Sequence, residues 1–188
     1  MFIQTETSPN PQTLKFLPGR DVMQDGSTAF YTNKETAAKE SPLAESLLVP
    51  EGINAIFLGS DFITVTKSET AEWDHLKATI LSTIMDHFVA GKPVMKTEIE
   101  SGSSQADSEL AKQIRELIET RVRPAVAQDG GDIVFRTFNE DSGVVELELH
   151  GACSGCPSST ITLKNGIENM LKHYVPEVTS VEAVEAAA

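Results

Sequence analysis

The sequence predicts an α+β protein built from two small two-layer domains that a flexible linker joins. The chain has 188 residues, and at about 100–200 residues per domain this length allows one domain or two small ones and excludes a large enzyme with several lobes. Each half shows patterns of both strands and helices, and a polar stretch rich in Ser and Gly separates the halves. We place the domains at residues 1–92 and 109–188 and the linker at residues 93–108.

The first half predicts the element order ββαββα. Four short runs rich in β-branched and aromatic residues predict strands. They are residues 2–7, 13–17, 53–58 and 62–66. Ser41 and Pro42 suit the N-cap and first position of a short helix. From Trp73 to Phe88 apolar residues recur every three or four positions, which predicts a longer helix that ends at Gly91.

The second half predicts a helix, a hairpin, a second helix and a candidate final strand. Apolar residues at i, i+4, i+7 and i+8 from Leu110 predict an amphipathic helix, which Pro124 bends or ends. Strands at residues 133–138 and 144–150 flank a turn, and apolar and polar residues alternate along the second strand. A further helix runs to Tyr174, and the tail at 178–184 is the candidate strand.

Charge and hydropathy exclude several classes of function. The chain has 15 Lys and Arg against 28 Asp and Glu, a net charge of -13, which is opposite in sign to that of a typical nucleic-acid binder. No run approaches the roughly 20 apolar residues of a membrane-spanning helix. The N-terminus lacks the pattern of a signal or transit peptide, so we expect a cytoplasmic protein.

The strongest chemical signal is the sequence GACSGCPSS at residues 151–159, between a predicted strand and a predicted helix. Its Cys153 and Cys156 are the two cysteines of the chain, and this spacing indicates metal binding or redox chemistry, not a secreted disulfide framework. Small neighbouring residues allow both sulfurs to converge. Pro157 suits the first helical turn, which places Cys156 near a helix N-terminus, where a thiolate is favoured.

Two thiolates are fewer than the four ligands that an iron–sulfur cluster or a structural zinc ion takes. We expect His75, His87 and His173 to be ordinary helix residues, and His150 to be the solvated end of a strand. The simplest completion is a homodimer in which a second copy supplies the other two thiolates. A dimeric zinc site would use the same sulfurs. A thiol–disulfide oxidoreductase also fits CxxC at a helix N-terminus, although a βαβ unit is expected before that motif.

The stretch VRPAVAQDGGDI from Val122, followed by LHGACSGCPSSTITLKNGIE, closely resembles the C-terminal domain of NifU and of the Nfu iron–sulfur carriers. The N-terminal TSPNPQTLKFLPG resembles the separate N-terminal domain of Nfu proteins of the bacterial and mitochondrial type. Together the two matches cover nearly the whole chain except the linker. A lone CxxC is a weak match, but CxxCPSS after a DGGD turn and a hairpin is specific.

The resemblance implies a carrier, not an enzyme. It implies one 4Fe–4S cluster per homodimer, ligated by Cys153 and Cys156 of each subunit, received from an upstream assembly scaffold and delivered to apo iron–sulfur proteins. The N-terminal half, which contains no cysteine, would then recognise targets or partners. The cysteine-rich scaffold and ferredoxin-like regions of full-length NifU are missing, so carriage fits better than de novo assembly. We expect neither nucleic acid nor membrane as a partner.

Overall fold

The computed structural model describes residues 2–23, 27–96, 108–154 and 157–184, and of residues 157–159 it describes the backbone alone. The chain divides into two compact units, Met1–Ser101 and Gly102–Ala187. Each unit combines a sheet with helices, which confirms the predicted α+β class. Within the described ranges, no helix has the length and apolar character needed to cross a membrane.

The N-terminal unit is built on a five-stranded sheet. Its strands are β1 (Gln4–Thr7), β2 (Thr13–Leu17), β3 (Ala29–Tyr31), β4 (Ile53–Leu58) and β5 (Ile63–Lys67). They lie in the order β1-β2-β5-β4-β3, and every neighbouring pair is antiparallel. Its helices are α1 (Lys34–Glu40), α2 (Pro42–Leu47) and α3 (Trp73–Val89). Alternate strand residues such as Phe16, Ile56 and Ile63 pack with Ile80 and Ile84 of α3 in the core.

Two elements of this unit differ from the predicted order, namely β3 and α1. Helix α1 has the sequence KETAAKE and buries only Ala37, so it shows no apolar stripe that a periodicity analysis could detect. It begins after Asn33, whose side-chain oxygen accepts a hydrogen bond from the N–H of Glu35 at 2.7 Å. Strand β3 is three residues long, which is too short for an alternating pattern to be distinctive.

The predicted linker begins with residues that pack on the N-terminal unit. The Ser41 hydroxyl donates a hydrogen bond to the carbonyl of Val94 at 2.7 Å, and the N–H of Lys96 donates to the carbonyl of Glu40 at 2.6 Å. Val94 and Met95 contact the hydrophobic core. The N-terminal unit therefore holds the chain as far as Lys96, and linker residues 97–107 lie outside the described residues.

The C-terminal unit has a three-stranded sheet of β6 (Gly131–Asn139), β7 (Val144–Gly151) and β8 (Ser180–Val184). Strands β6 and β7 form an antiparallel hairpin, and β8 pairs with β7 in the parallel direction. Its helices are α4 (Glu109–Leu117), α5 (Arg123–Gln128) and α6 (Pro157–Tyr174). The helices and one sheet face enclose a core that includes Ile114, Ile133, Leu147, Leu171 and Val181.

Pro124 does not end the first helical segment of this unit. A π-helical turn, Ile118–Val122, joins α4 to α5, and Pro124 lies in the first turn of α5. A proline lacks the N–H that would bond to the preceding turn, and the π-helical turn directly before Pro124 interrupts the regular α-helical pattern at this point without ending the helix. The helical path thus continues to Gln128, immediately before the DGGD turn at residues 129–132.

Candidate functional site

The cysteine loop connects β7 to α6. Gly151, the last residue of β7, has a φ of 60°, in the region that favours glycine. Its carbonyl accepts hydrogen bonds from the N–H and the hydroxyl of Ser154 at 3.1 and 2.9 Å. The N–H of Cys153 donates to the carbonyl of His150 at 3.3 Å. The chain thus turns tightly at Cys153 before it enters α6 at Pro157.

The two cysteines predicted as ligands differ in what the structure describes. Cys153 is a free thiol, whereas Cys156 lies outside the described residues, together with Gly155. Among the side chains that are described, no group of three or more His, Cys, Asp and Glu residues could hold a metal ion. Of the two candidate ligands, Cys153 is therefore the one whose position the structure describes.

Cys153 is buried, with 7% of its surface exposed, and it packs with the hydrophobic core of the C-terminal unit. This burial, together with the negative charges of Asp129 and Asp132, raises the pKa of the Cys153 thiol to about 12. The thiol is consequently protonated at neutral pH in this conformation. Although its loop neighbours are small, the Cys153 side chain turns inward onto the core.

Gly131 is in close contact with the sulfur of Cys153. A Cβ atom added to Gly131 would lie 2.3 Å from Cys153 Sγ and 3.0 Å from the Cys153 nitrogen. The hairpin register pairs Gly131 with Gly151, and the N–H of Ala152 donates to the Gly130 carbonyl at 3.1 Å. The DGGD turn is therefore one side of the cysteine site. The sequence predicts the turn but not this contact.

Asp132 fastens the DGGD turn to α5. Its carboxylate is 3% exposed and accepts two hydrogen bonds from Arg123, from Nε to Oδ1 and from Nη2 to Oδ2, both at 2.8 Å. The N–H of Ile133 donates to Oδ1 at 2.8 Å. Paired hydrogen bonds of this kind are strong and directional, and the bond from Arg123 to Asp132 raises the pKa of Arg123. Asp132 thus has a structural partner.

His150 is held by a buried carboxylate. Its Nε2 lies 2.8 Å from Oε1 of Glu148, and Arg136 contacts the other oxygen of that carboxylate. Alternation along β7 places Glu148 on the face opposite the core, yet Glu148 is only 3% exposed. Sequence periodicity could not identify this cluster, because periodicity assigns a residue to a face without showing which neighbouring side chains cover it.

The fold and the site define a class of two-unit α+β proteins in which a CxxC motif follows an antiparallel hairpin and precedes a helix. Comparison with known families gives two matches. Residues 3–91 match the family described as scaffold protein Nfu/NifU N terminal, and residues 114–182 match the NifU-like domain. The chain carries both domains of an Nfu protein.

Individual relatives agree over nearly the whole chain. The mitochondrial NFU1 iron–sulfur cluster scaffold homolog of Homo sapiens is 49% identical over 98% of this chain and 72% of that protein. Its counterpart in Drosophila sechellia is 49% identical over 98% of this chain and 65% of that protein. The mitochondrial NifU-like protein 4 of Arabidopsis thaliana is 49% identical over 97% and 65%. The chain belongs to the Nfu family, which confirms the resemblance.

The family assignment bears on two other predictions. The matched family is described as one of scaffold proteins, which agrees with the prediction that the chain is not an enzyme. The expectation of a cytoplasmic location is wrong, because relatives that match nearly all of this chain are named as mitochondrial. The chain spans only 65% of the fly and plant relatives, so its first residues are no guide to targeting.

Proposed function

We propose that this protein is a carrier that binds an iron–sulfur cluster through Cys153 and Cys156 and passes it to apo-proteins. The observation that carries this proposal is the CxxC motif at the β7–α6 junction, with Cys153 packed against Gly131 of the DGGD turn. Relatives at 49% identity are named iron–sulfur cluster scaffolds, which supports the same cargo here. A carrier needs ligands and an exit path, and it needs no catalytic residue.

The number of ligands favours a homodimer. A 4Fe–4S cluster takes four protein ligands, usually thiolates, and the chain has two cysteines. The nearest histidine, His150, is engaged by Glu148 at 2.8 Å. Two copies of the chain would supply four thiolates to one shared 4Fe–4S cluster, one cluster per dimer.

Loading requires a local rearrangement of the cysteine loop. The Cys153 side chain lies in the core of the C-terminal unit with 7% of its surface exposed, so it must rotate outward to reach a cluster that a second chain also ligates. Gly151, whose φ of 60° has little steric cost for glycine, gives the loop a flexible start. The same rearrangement in reverse would return the sulfur to the core after the cluster has left.

The N-terminal unit contains no cysteine and forms a compact unit with its own core. We assign it the recognition of partners, which are the upstream scaffold that donates the cluster and the apo-proteins that receive it. The boundaries that we propose are residues 1–92 for this domain, 93–108 for the linker, whose first residues as far as Lys96 pack on that domain, and 109–188 for the cluster-binding domain.

The test is anaerobic reconstitution with iron and sulfide, followed by metal and sulfide analysis, Mössbauer spectroscopy and native mass. We expect about four iron and four sulfide per dimer. Cys153→Ser and Cys156→Ser should each abolish stable cluster binding and leave the apo fold intact. Ser154→Ala, inside the same loop, is the matched control and should keep the cluster.

Other results would redirect the assignment. A dimer that takes up zinc in preference to iron would indicate a four-cysteine zinc site. A monomer that binds no metal and cycles a Cys153–Cys156 disulfide would indicate a thiol–disulfide oxidoreductase. Full cluster retention by either cysteine variant would overturn the ligand assignment.

A further inference from the structure

Helix α6 begins directly after the cysteine motif and has an unusual outer face. Ile161, in its second turn, is 59% exposed. Among the described side chains of its first turns, as far as Met170, the exposed ones are all uncharged, and we call them the outer stripe. They are Ile161, Thr162, Asn165, Gly166 and Asn169. A Cβ added to Gly166 would meet no atom within 4 Å, so the middle of the stripe faces open space.

The charged residues of α6 lie on the same side of the helix as Ile161, three, seven and eleven positions after it. Lys164, Glu168 and Lys172 recur at intervals of four, and Lys172 pairs with Glu168 at 2.6 Å. Glu168 also accepts a hydrogen bond from the N–H of Val181 in β8 at 3.0 Å. Glu168 is thus held by Lys172 and by β8. Lys164 and Glu168 border the outer stripe at Ile161, and the exposed Lys172 follows the stripe in the next turn.

The outer stripe begins next to the cysteines. Helix α6 starts at Pro157, the residue after Cys156, and at about 1.5 Å per residue Ile161 lies only about 6 Å further along its axis. The Thr160 hydroxyl donates to the carbonyl of Cys153 at 3.3 Å, which ties this part of the helix to the cysteine loop. Ile161 therefore lies about one helical turn from the end of the cysteine motif.

We propose that a second copy of this chain packs on the outer stripe of α6 when two copies share a cluster, with Ile161 as the apolar contact. This inference rests on the proposed function, because two cysteines per chain leave the cluster site incomplete without that copy. Each chain has a net charge of -13, so two copies repel each other over most of their surface. No exposed residue of the stripe is acidic, so two copies can approach there, beside the cluster, with less repulsion than over the rest of their surface.

The size of the stripe also suits a carrier. A stable protein interface buries roughly 1,600 Å² in total, and five residues of one helix provide far less than that. The stripe is therefore too small to hold two copies together by itself, and the four bonds to the cluster supply the rest. The dimer should separate when the cluster leaves, which frees both cysteine loops in one step.

The experiment compares Ile161→Gln with Val89→Gln in the full chain. Val89 is 76% exposed on α3 of the N-terminal unit and serves as the matched control. Each protein is reconstituted anaerobically and diluted stepwise while native mass and cluster absorbance are followed. Because a twofold contact loses Ile161 twice, we expect half-dissociation at about tenfold higher concentration than in the unsubstituted dimer. Val89→Gln should match the unsubstituted protein.

A second substitution covers the case in which Ile161→Gln disturbs the loop. Asn165→Asp keeps the shape of the side chain and adds a negative charge to the outer stripe, and Asn54→Asp adds the same charge at an exposed position of β4. We expect Asn165→Asp to weaken the cluster-loaded dimer and Asn54→Asp to leave it unchanged. Circular dichroism of the apo forms should be identical in all four variants.

The outcomes separate this inference from the proposed function. If the unsubstituted protein loads a cluster as a monomer, the shared cluster is wrong, and the inference is wrong with it. If it loads as a dimer that Ile161→Gln and Asn165→Asp leave equally stable, the dimer stands and the stripe is not its contact. If these variants dimerise normally but transfer the cluster slowly to an apo 4Fe–4S ferredoxin, the stripe recognises recipients instead, which also overturns the inference.

Discussion

Gly131 and Cys153 are in such close contact that no side chain other than hydrogen fits between them. A Cβ at position 131 would lie 2.3 Å from Cys153 Sγ, well inside the contact distance of two heavy atoms. Gly131 is the first residue of β6, and Cys153 follows the last residue of β7. The pairing of Gly131 with Gly151 brings the two together. The position of the sulfur therefore depends on a residue that carries no functional group.

This contact predicts the effect of Gly131→Ala. The methyl group must displace Cys153 or the hairpin backbone, and we expect a loss of roughly 1–3 kcal/mol in the free energy of unfolding, as is typical of overpacking. Urea unfolding followed by circular dichroism measures the loss. Gly166→Ala is the control: its Cβ meets open space within α6, so we expect a gain of roughly 0.5–1 kcal/mol. Equal effects of the two substitutions would contradict the close contact.

The pair of Arg123 and Asp132 gives a second prediction. Arg123→Ala leaves the carboxylate of Asp132, which is 3% exposed, without its two hydrogen bonds from the guanidinium. Breaking a buried pair in this way costs roughly 3–5 kcal/mol, and partial exposure of Arg123 places the expected loss at the low end of that range. Arg123→Lys keeps the charge but not the paired geometry, and it should recover only part of the loss.

A double-mutant cycle with Asp132→Asn checks that the two side chains act on each other. If they do, the loss in the double variant is smaller than the sum of the losses in Arg123→Ala and Asp132→Asn. Additive losses would show that the two residues stabilise the fold independently. Iron content after reconstitution, measured on the same variants, shows how strongly the Arg123–Asp132 pair affects cluster binding at the cysteine site.

The third prediction concerns pH and His87 in α3. Burial lowers the pKa of His87, and Lys92 lowers it further, against hydrogen bonds to the backbone of Pro93 and Lys92 that raise it. The folded state therefore binds a proton less readily than the unfolded chain, where a histidine has a pKa of about 6.5. Stability of the N-terminal unit is complete above that value and falls as the pH drops below it, by at most about 1.4 kcal/mol per pH unit.

The chain provides a direct reporter for this measurement. Trp73 is its one tryptophan, and Trp73 donates a hydrogen bond from Nε1 to the carbonyl of Pro11 at 3.2 Å within the same unit. Urea unfolding followed by tryptophan fluorescence between pH 5 and pH 8 gives the slope. His87→Gln should flatten the slope, whereas substitution of the exposed His75 by Gln on the same helix should leave it as it is. A slope that survives His87→Gln would assign the pH dependence to other groups.

Local sequence signals were sufficient for most elements of the fold. Ser41 and Pro42 marked the start of α2, where the Ser41 hydroxyl accepts a hydrogen bond from the N–H of Ala44 at 3.1 Å. The apolar repeat from Trp73 to Phe88 matched α3, because a spacing of three or four residues sustained over several turns is typical of an amphipathic helix. The missed elements, α1 and β3, are short, and the contacts of the wider fold hold them in place.

By itself the sequence determined the kind of chemistry: two cysteines three positions apart, with small neighbours, between a strand and a helix. These features are local, so they can be read from neighbouring residues. Only the tertiary structure decided that Cys153 turns inward, that Gly131 lies against its sulfur, and that β8 joins β7 in the parallel direction. Each of these depends on the register and packing of segments distant in the chain, and no local period in the sequence encodes such a contact.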